Sequence, residues 1–171
     1  MANLVDRMIR AAKLDVKLYE EVEADQQATG QAMSVVILAS LATGVGSLTS
    51  AGVSGLVWGT VAGLLGWLIW AFLTYLIGTR VLPEPQTQAD LGQLLRTIGF
   101  SSSPGVLRIV GLVPGLWALA TVIASVWMLV AMVIAVRQAL DFHSTWRAVA
   151  VCILGWIVQI VLLTLVIPFG P

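Results

Sequence analysis

Residues 99–147 read GFSSSPGVLRIVGLVPG (99–115) and then LWALATVIASVWMLVAMVIAVRQALDFHSTWR (116–147). Serine hydroxyls cap free helix amides and proline suits the first helical position, so a helix start is predicted at Ser101, Ser102, Ser103 and Pro104. One unbroken helix from Pro104 to Arg137 would extend about 50 Å, against roughly 30 Å of bilayer hydrocarbon. The Pro114-Gly115 pair is therefore read as a division. It leaves a short apolar segment, 104–113, holding Arg108, and a full span, 115–136. A polar turn over 137–145, with Asp141 and His143, leads to a last span over 146–167.

Composition agrees with a membrane class. Hydrophobic residues make up 58% of the chain and charged residues 11%, where soluble domains hold about a quarter charged residues. A formal net charge of zero gives no basis for a nucleic-acid partner; the lipid bilayer is the expected surrounding. The single cysteine, Cys152, lies inside an apolar run and is expected to pack as a small hydrophobe. The first long apolar run starts near Ala32 behind a mixed-charge segment, unlike the basic lead of a cleavable signal peptide, so the first span is expected to be retained.

Upstream, the chain divides into an amphipathic cytoplasmic or interfacial segment, 1–28, and a five-helix transmembrane domain, 29–171. In the first, Arg7, Arg10, Lys13 and Lys17 precede Glu20, Glu21 and Glu23. Val5, Met8, Ile9, Ala12, Val16, Tyr19 and Val22 recur at helical spacing on one face. Asp15 is a candidate cap for a second short helix, with a kink at 13–15. Spans follow over 31–50 and 54–78, with a break at 49–53. Gly55, Gly59 and Gly63 share one stripe of the second span and are predicted to let it approach the first closely, with Thr43 and Ser47 adding hydrogen bonds. Pro83 and Pro85 force a connector. Residues 89–100 then read as a second amphipathic helix, too short and too polar to span.

Lysine and arginine mark the cytoplasmic side. Four lie in the amino-terminal segment, two within 80–96 and two within 137–147, and none in the turn after the first span. All three basic regions share a side only if residues 104–113 cross. The expected fold is an all-α, polytopic membrane bundle of five transmembrane helices, the third short, plus amphipathic interfacial helices. The amino end is inside and the carboxyl end outside. The third span either tilts with the serines in the membrane or re-enters beside other helices.

Gly99-Phe100-Ser101-Ser102-Ser103-Pro104 resembles the Gly-Tyr-Ser-x-x-Pro element of the Yip family of Ypt-interacting proteins. Trp127, the run Ala135-Val136-Arg137-Gln138-Ala139-Leu140 and Arg147-Ala148 resemble its bacterial branch. So does the run Leu18-Tyr19-Glu20-Glu21-Val22-Glu23-Ala24-Asp25. The likeness covers nearly the whole chain. It implies a cytoplasmic amino end, five spans and, for bacterial members, an inner-membrane location. Eukaryotic members act in vesicle traffic with Rab-type GTPases; this chain lacks their Asp-Leu-Tyr-Gly-Pro element, so GTPase binding is not carried over.

Catalytic patterns are not found. His143 has no metal-binding companions. The three serines have no base at a recognisable spacing. No phosphate loop, cofactor motif or intramembrane carboxylate pair is present. Trp117 and Trp146 are read as interface anchors, and Trp67 and Trp127 as buried. The expected role is non-enzymatic: a scaffold or organiser of an unknown protein partner, with an oligomeric channel or permease for a small solute as the alternative. Arg108 is the one charge expected within a span. It either snorkels to headgroups or faces the bundle interior, where Asp141 is the favoured partner.

Overall fold

The computed structural model describes residues 3–46, 48–113 and 115–166. All regular structure among them is helical. Asn3 caps α1 (Leu4–Ala12), its side-chain oxygen accepting from the Val5 amide. Leu14 turns the chain at a φ of 62°, and Asp15 caps α2 (Val16–Ala24) through the Lys17 amide, so the kink read at Asp15 is present. α3 (Ala28–Gly46) leads to α4 (Leu48–Leu76). The helical path breaks at Gly52, where φ 62° and ψ −170° suit glycine. α4 runs on into a π-helical turn, Ile77–Val81. Next come α5 (Leu91–Ser101), a 3-10 helix (Ser103–Leu112), α6 (Trp117–Ala139) and α7 (Thr145–Val166).

Three stretches are long and apolar enough to cross a membrane: Ala28–Val45, Gly52–Val81 and Trp117–Ala139, with Thr145–Val161 a shorter apolar helix. Their outer faces carry large exposed hydrophobics, among them Trp58, Phe72, Leu129, Trp146 and Trp156. An apolar girdle of this extent suits lipid and not water. Trp146, 82% exposed, stands where an interface anchor was expected. Trp67 is buried, its indole donating to the Leu95 carbonyl. Trp127 is not buried as expected; it is 37% exposed and its indole donates to the Ala12 carbonyl.

Polar contacts draw α2, the connector after α4 and the turn after α6 to one end of the bundle, while α1 packs along the 3-10 helix. Gln138 donates to Glu20, joining the end of α6 to α2. Arg96 donates to the carbonyls of Val22 and Glu23 at the end of α2, and Arg147 to the Pro83 carbonyl. Glu84 accepts from the His143 and Ser144 amides just before α7, supplying that helix with a cap from the connector. The chain therefore leaves this basic end in α3, returns in α4, leaves again in α5 and the 3-10 helix, returns in α6 and leaves in α7. The largest fully buried side chains, including Tyr19, Phe100, Leu94 and Leu140, belong to α2, α5 and the end of α6. The dense core thus lies toward the basic end.

One expectation is corrected here. Residues 89–100 do not form an interfacial helix. α5 packs among α2, α3, α4 and α6, with Leu94 through Ser101 buried except for Leu95. Its polar face looks amphipathic in sequence, but it meets protein: Arg96 is held by α2 carbonyls, and Thr97 donates to the Gln93 carbonyl. The third leg is therefore longer than 104–113. Eleven α-helical residues and ten 3-10 residues, at about 1.5 and 2.0 Å each, give about 36 Å.

The serine-proline element makes the change from α to 3-10 winding. Pro104 has no N–H, so an α-helical bond to the Phe100 carbonyl is impossible. The Ser103 hydroxyl donates to that same carbonyl at 2.7 Å, and Ser101 donates to the Ile98 carbonyl at 2.7 Å. A Cβ at Gly99 would lie 2.7 Å from the Ala32 Cβ and 3.2 Å from its backbone, and one at Gly105 would lie 3.1 Å from the Ala39 Cβ. The two glycines thus let this leg lie directly against α3.

Candidate functional site

The 3-10 helix carries Arg108 into a space between α3 and α6. Its Nη1 donates to Thr43 Oγ1 at 3.3 Å and its Nη2 to Ser125 Oγ at 3.0 Å. The Thr43 hydroxyl donates its hydrogen bond to the Ala39 carbonyl at 2.9 Å, which leaves the lone pairs of its oxygen to accept from Arg108. Arg108 Nε is buried without a hydrogen-bond partner. Both partners are neutral hydroxyls, and no ion pair to Arg108 occurs among the described residues. A guanidinium has five N–H donors, so most of its capacity is unused.

Two adjoining hollows meet at Arg108. The first, about 440 Å³, has Ser40, Thr43, Ser102 and Gln159 as polar lining, and a wall that includes Gly55, Gly59, Gly63 and Gly66 of α4. Trp67 and Ile98, which belong to the dense core, also line it. The second, about 550 Å³, is a cleft between α4, α6 and α7 lined by Leu129, Val133, Val149, Cys152, Ile153 and Trp156. Trp70, Met128 and Met132 border both, and the Trp70 indole donates to Met132 Sδ at 3.2 Å.

Asp141 is not the partner of Arg108. It lies in a turn beyond α6 at a φ of 53°, exposed, with its carbonyl accepting from Gln86. Ser125, which holds Arg108, stands about 20 Å along α6 from Ala139, so the two charges lie toward opposite ends of the bundle. The glycine stripe does two jobs. Gly63 makes the close approach expected, a Cβ there lying 2.2 Å from Ser40 Oγ, whereas a Cβ at Gly59 would meet nothing within 4 Å. Gly59 is thus wall, not helix contact. Ser103 and Pro104 are buried parts of the helix switch. Pro114 and Ser47 lie outside the described residues. Among the described residues no group of three or more metal-ligating side chains forms around His143 or Cys152.

The sequence reading passed over four residues that the structure singles out. Gln159, a lone amide in an apolar run, lines the cavity. Arg7, 4% exposed, joins Glu21, Asp25 and Gln31 and so ties α1 to α2 and α3. The Arg10 and Arg7 guanidiniums hold the Glu21 carboxyl below its ordinary range, and Arg7 does the same for Asp25. Arg96 and Glu84 join segments more than fifty residues apart, which no local periodicity encodes. At the same end, burial and the nearby Asp141 charge push the Glu23 carboxyl up to about 7.

A helical bundle with an apolar girdle, span-length helices and an arginine held between them defines a multi-pass membrane protein. Residues 19–167 match the Yip1 domain, so the chain belongs to that family. The match runs from α2 into the last helix and includes the helix switch and Arg108. Comparison with curated proteins and with solved structures gives no match.

Proposed function

We propose that this Yip1-domain protein is a five-crossing scaffold of the bacterial inner (plasma) membrane, working without enzymatic chemistry. The amino-terminal segment is cytoplasmic and the far end of α7 lies outside. The gathering of α2, Arg96 and Arg147 at one end supports this orientation. So does the third leg, whose length of about 36 Å matches the roughly 30 Å of hydrocarbon. The bacterial assignment rests on the resemblance of residues 127–148 and 18–25.

The observation that carries the scaffold reading is the construction of the basic end. α1, α2, the 82–90 connector and the 140–144 turn are cross-linked by side chains into one platform. Its outer face presents exposed Lys13, Lys17 and Glu20. A preformed polar surface of this kind suits protein docking, since little ordering entropy is lost on binding. A photo-crosslinker placed at Lys17 in intact membranes is expected to give a discrete protein adduct. The same group at Val53, at the opposite end, is expected to give none. Equal labelling at both positions, or none at either, would remove the reading.

One observation favours the alternative, an oligomeric channel or permease for a small solute: the open hollow at Arg108, whose lining includes Ser40, Thr43, Ser102 and Gln159. Trp67 and Ile98 are among its apolar lining residues. Purified protein that leaves ion and small-solute flux across liposomes unchanged would exclude transport.

A further inference from the structure

We propose that the Arg108 site binds one anionic phospholipid, its phosphate on the guanidinium and an acyl chain in the cleft between α6 and α7. The proposal stands independently of the scaffold reading.

Arg108 is a cation without a counter-charge. Residues 26–79, 117–136 and 148–166 contain no charged side chain, and α1, which also packs on the 3-10 helix, makes no ion pair with Arg108 among the described residues. Its hydroxyl partners leave donors unused and Nε unpartnered. An isolated charge in this setting is costly unless a ligand or water compensates it. An anion is the complementary ligand; a cation would be repelled, and a neutral solute would leave the charge uncompensated. Phosphate oxygens suit the guanidinium because both geometries are forked.

The surroundings select an amphiphile over a free anion. On one side of Arg108 stand hydroxyls and an amide that can bond the ester and glycerol oxygens of a headgroup: Ser40, Thr43 and Gln159. On the other side the cleft is apolar. Three of its wall residues, Leu129, Ile153 and Trp156, are also more than half exposed on the outer surface, so the cleft opens sideways toward lipid. Inorganic phosphate would satisfy the arginine and leave this cleft unfilled.

The test uses the full chain, delipidated in a non-ionic detergent. Native mass spectrometry would follow titration with phosphatidylglycerol, phosphatidylcholine or inorganic phosphate. The wild type is expected to retain one phosphatidylglycerol at least tenfold more tightly than phosphatidylcholine. Arg108→Gln should lose that preference, a fall of about tenfold or more in affinity. Arg108→Lys keeps the charge without the fork and should fall between them. Cys152→Phe, which fills the cleft, should weaken phosphatidylglycerol but not phosphate, and it provides the decision if Arg108→Gln does not fold. Wild-type retention by Arg108→Gln or by Cys152→Phe would overturn the proposal. So would inorganic phosphate competing away bound lipid at equal concentration, which would make this a small-anion site.

Discussion

Glu23 shows how one side chain reports on the packing of the basic end. Burial first, then repulsion from Asp141, raises its pKa from 4.5 to about 7, with Glu20 and Asp90 adding to the rise and Arg96 opposing it. Between pH 4.5 and 7 the folded state therefore holds a proton that the unfolded chain has released. Stability must fall as pH rises through that window and level off above it. Glu21, Asp15 and Asp25 act in the opposite sense. Their pKa values are lowered by Arg7 and Arg10, so their contribution is present at neutral pH and is lost only in more acid solution. Thermal unfolding of the detergent-solubilised protein at pH 5, 6, 7 and 8 is expected to show a falling midpoint. Glu23→Gln should remove most of that slope. A flat wild-type profile would mean that Glu23 is ionised throughout, with its burial relieved by water.

Among the elements, the third leg is the one whose geometry is most demanding, because it changes winding within the bundle. Gly99 and Gly59 offer opposed outcomes for the same substitution. A Cβ at Gly99 meets the Ala32 Cβ and backbone, which cannot move without displacing α3, so Gly99→Ala is expected to destabilise by about 1–3 kcal/mol. Gly59 faces the cavity with nothing within 4 Å. Gly59→Ala should be neutral or stabilising, since alanine exceeds glycine in helix preference by about 1 kcal/mol. Denaturation in matched detergent would rank the two, and equal losses would contradict the assigned contacts.

Much of the element order was legible in the sequence, and the reasons it failed elsewhere are physical. Apolar length reveals α3, α4, α6 and α7, and the Asp15 cap and the break near Gly52 follow from local chemistry. α5 was misread because a polar stripe looks the same whether it meets water or the carbonyls of α2. Asp141 was chosen for Arg108 because carboxylates are few, but scarcity says nothing about the run of α6 that separates them. Ser103 was readable only as a cap; its bond to the carbonyl that Pro104 leaves open needs the structure. Gln159 has no local signal, because a single amide in an apolar helix becomes notable only when a cavity is seen beside it.

At the scale of the whole molecule, the two ends differ in kind. The basic end is dense and cross-linked by side chains. Toward the other end the legs part around Arg108, leaving the cavity and the lateral cleft. This polarity follows from an even number of passages between the 80–96 segment and the 137–147 turn, one made outward by α5 with the 3-10 helix and one back by α6. If the membrane is crossed at every leg, Lys17 and Asp141 share one side and the turn before α6 lies on the other. The most direct test is cysteine labelling in a Cys152→Ser background, with single replacements Lys17→Cys, Leu116→Cys and Asp141→Cys. In intact cells a membrane-impermeant maleimide should label only Leu116→Cys, and after permeabilisation all three. Labelling that places Lys17→Cys and Asp141→Cys on opposite sides would mean that the third leg does not cross, and would contradict the five-crossing account.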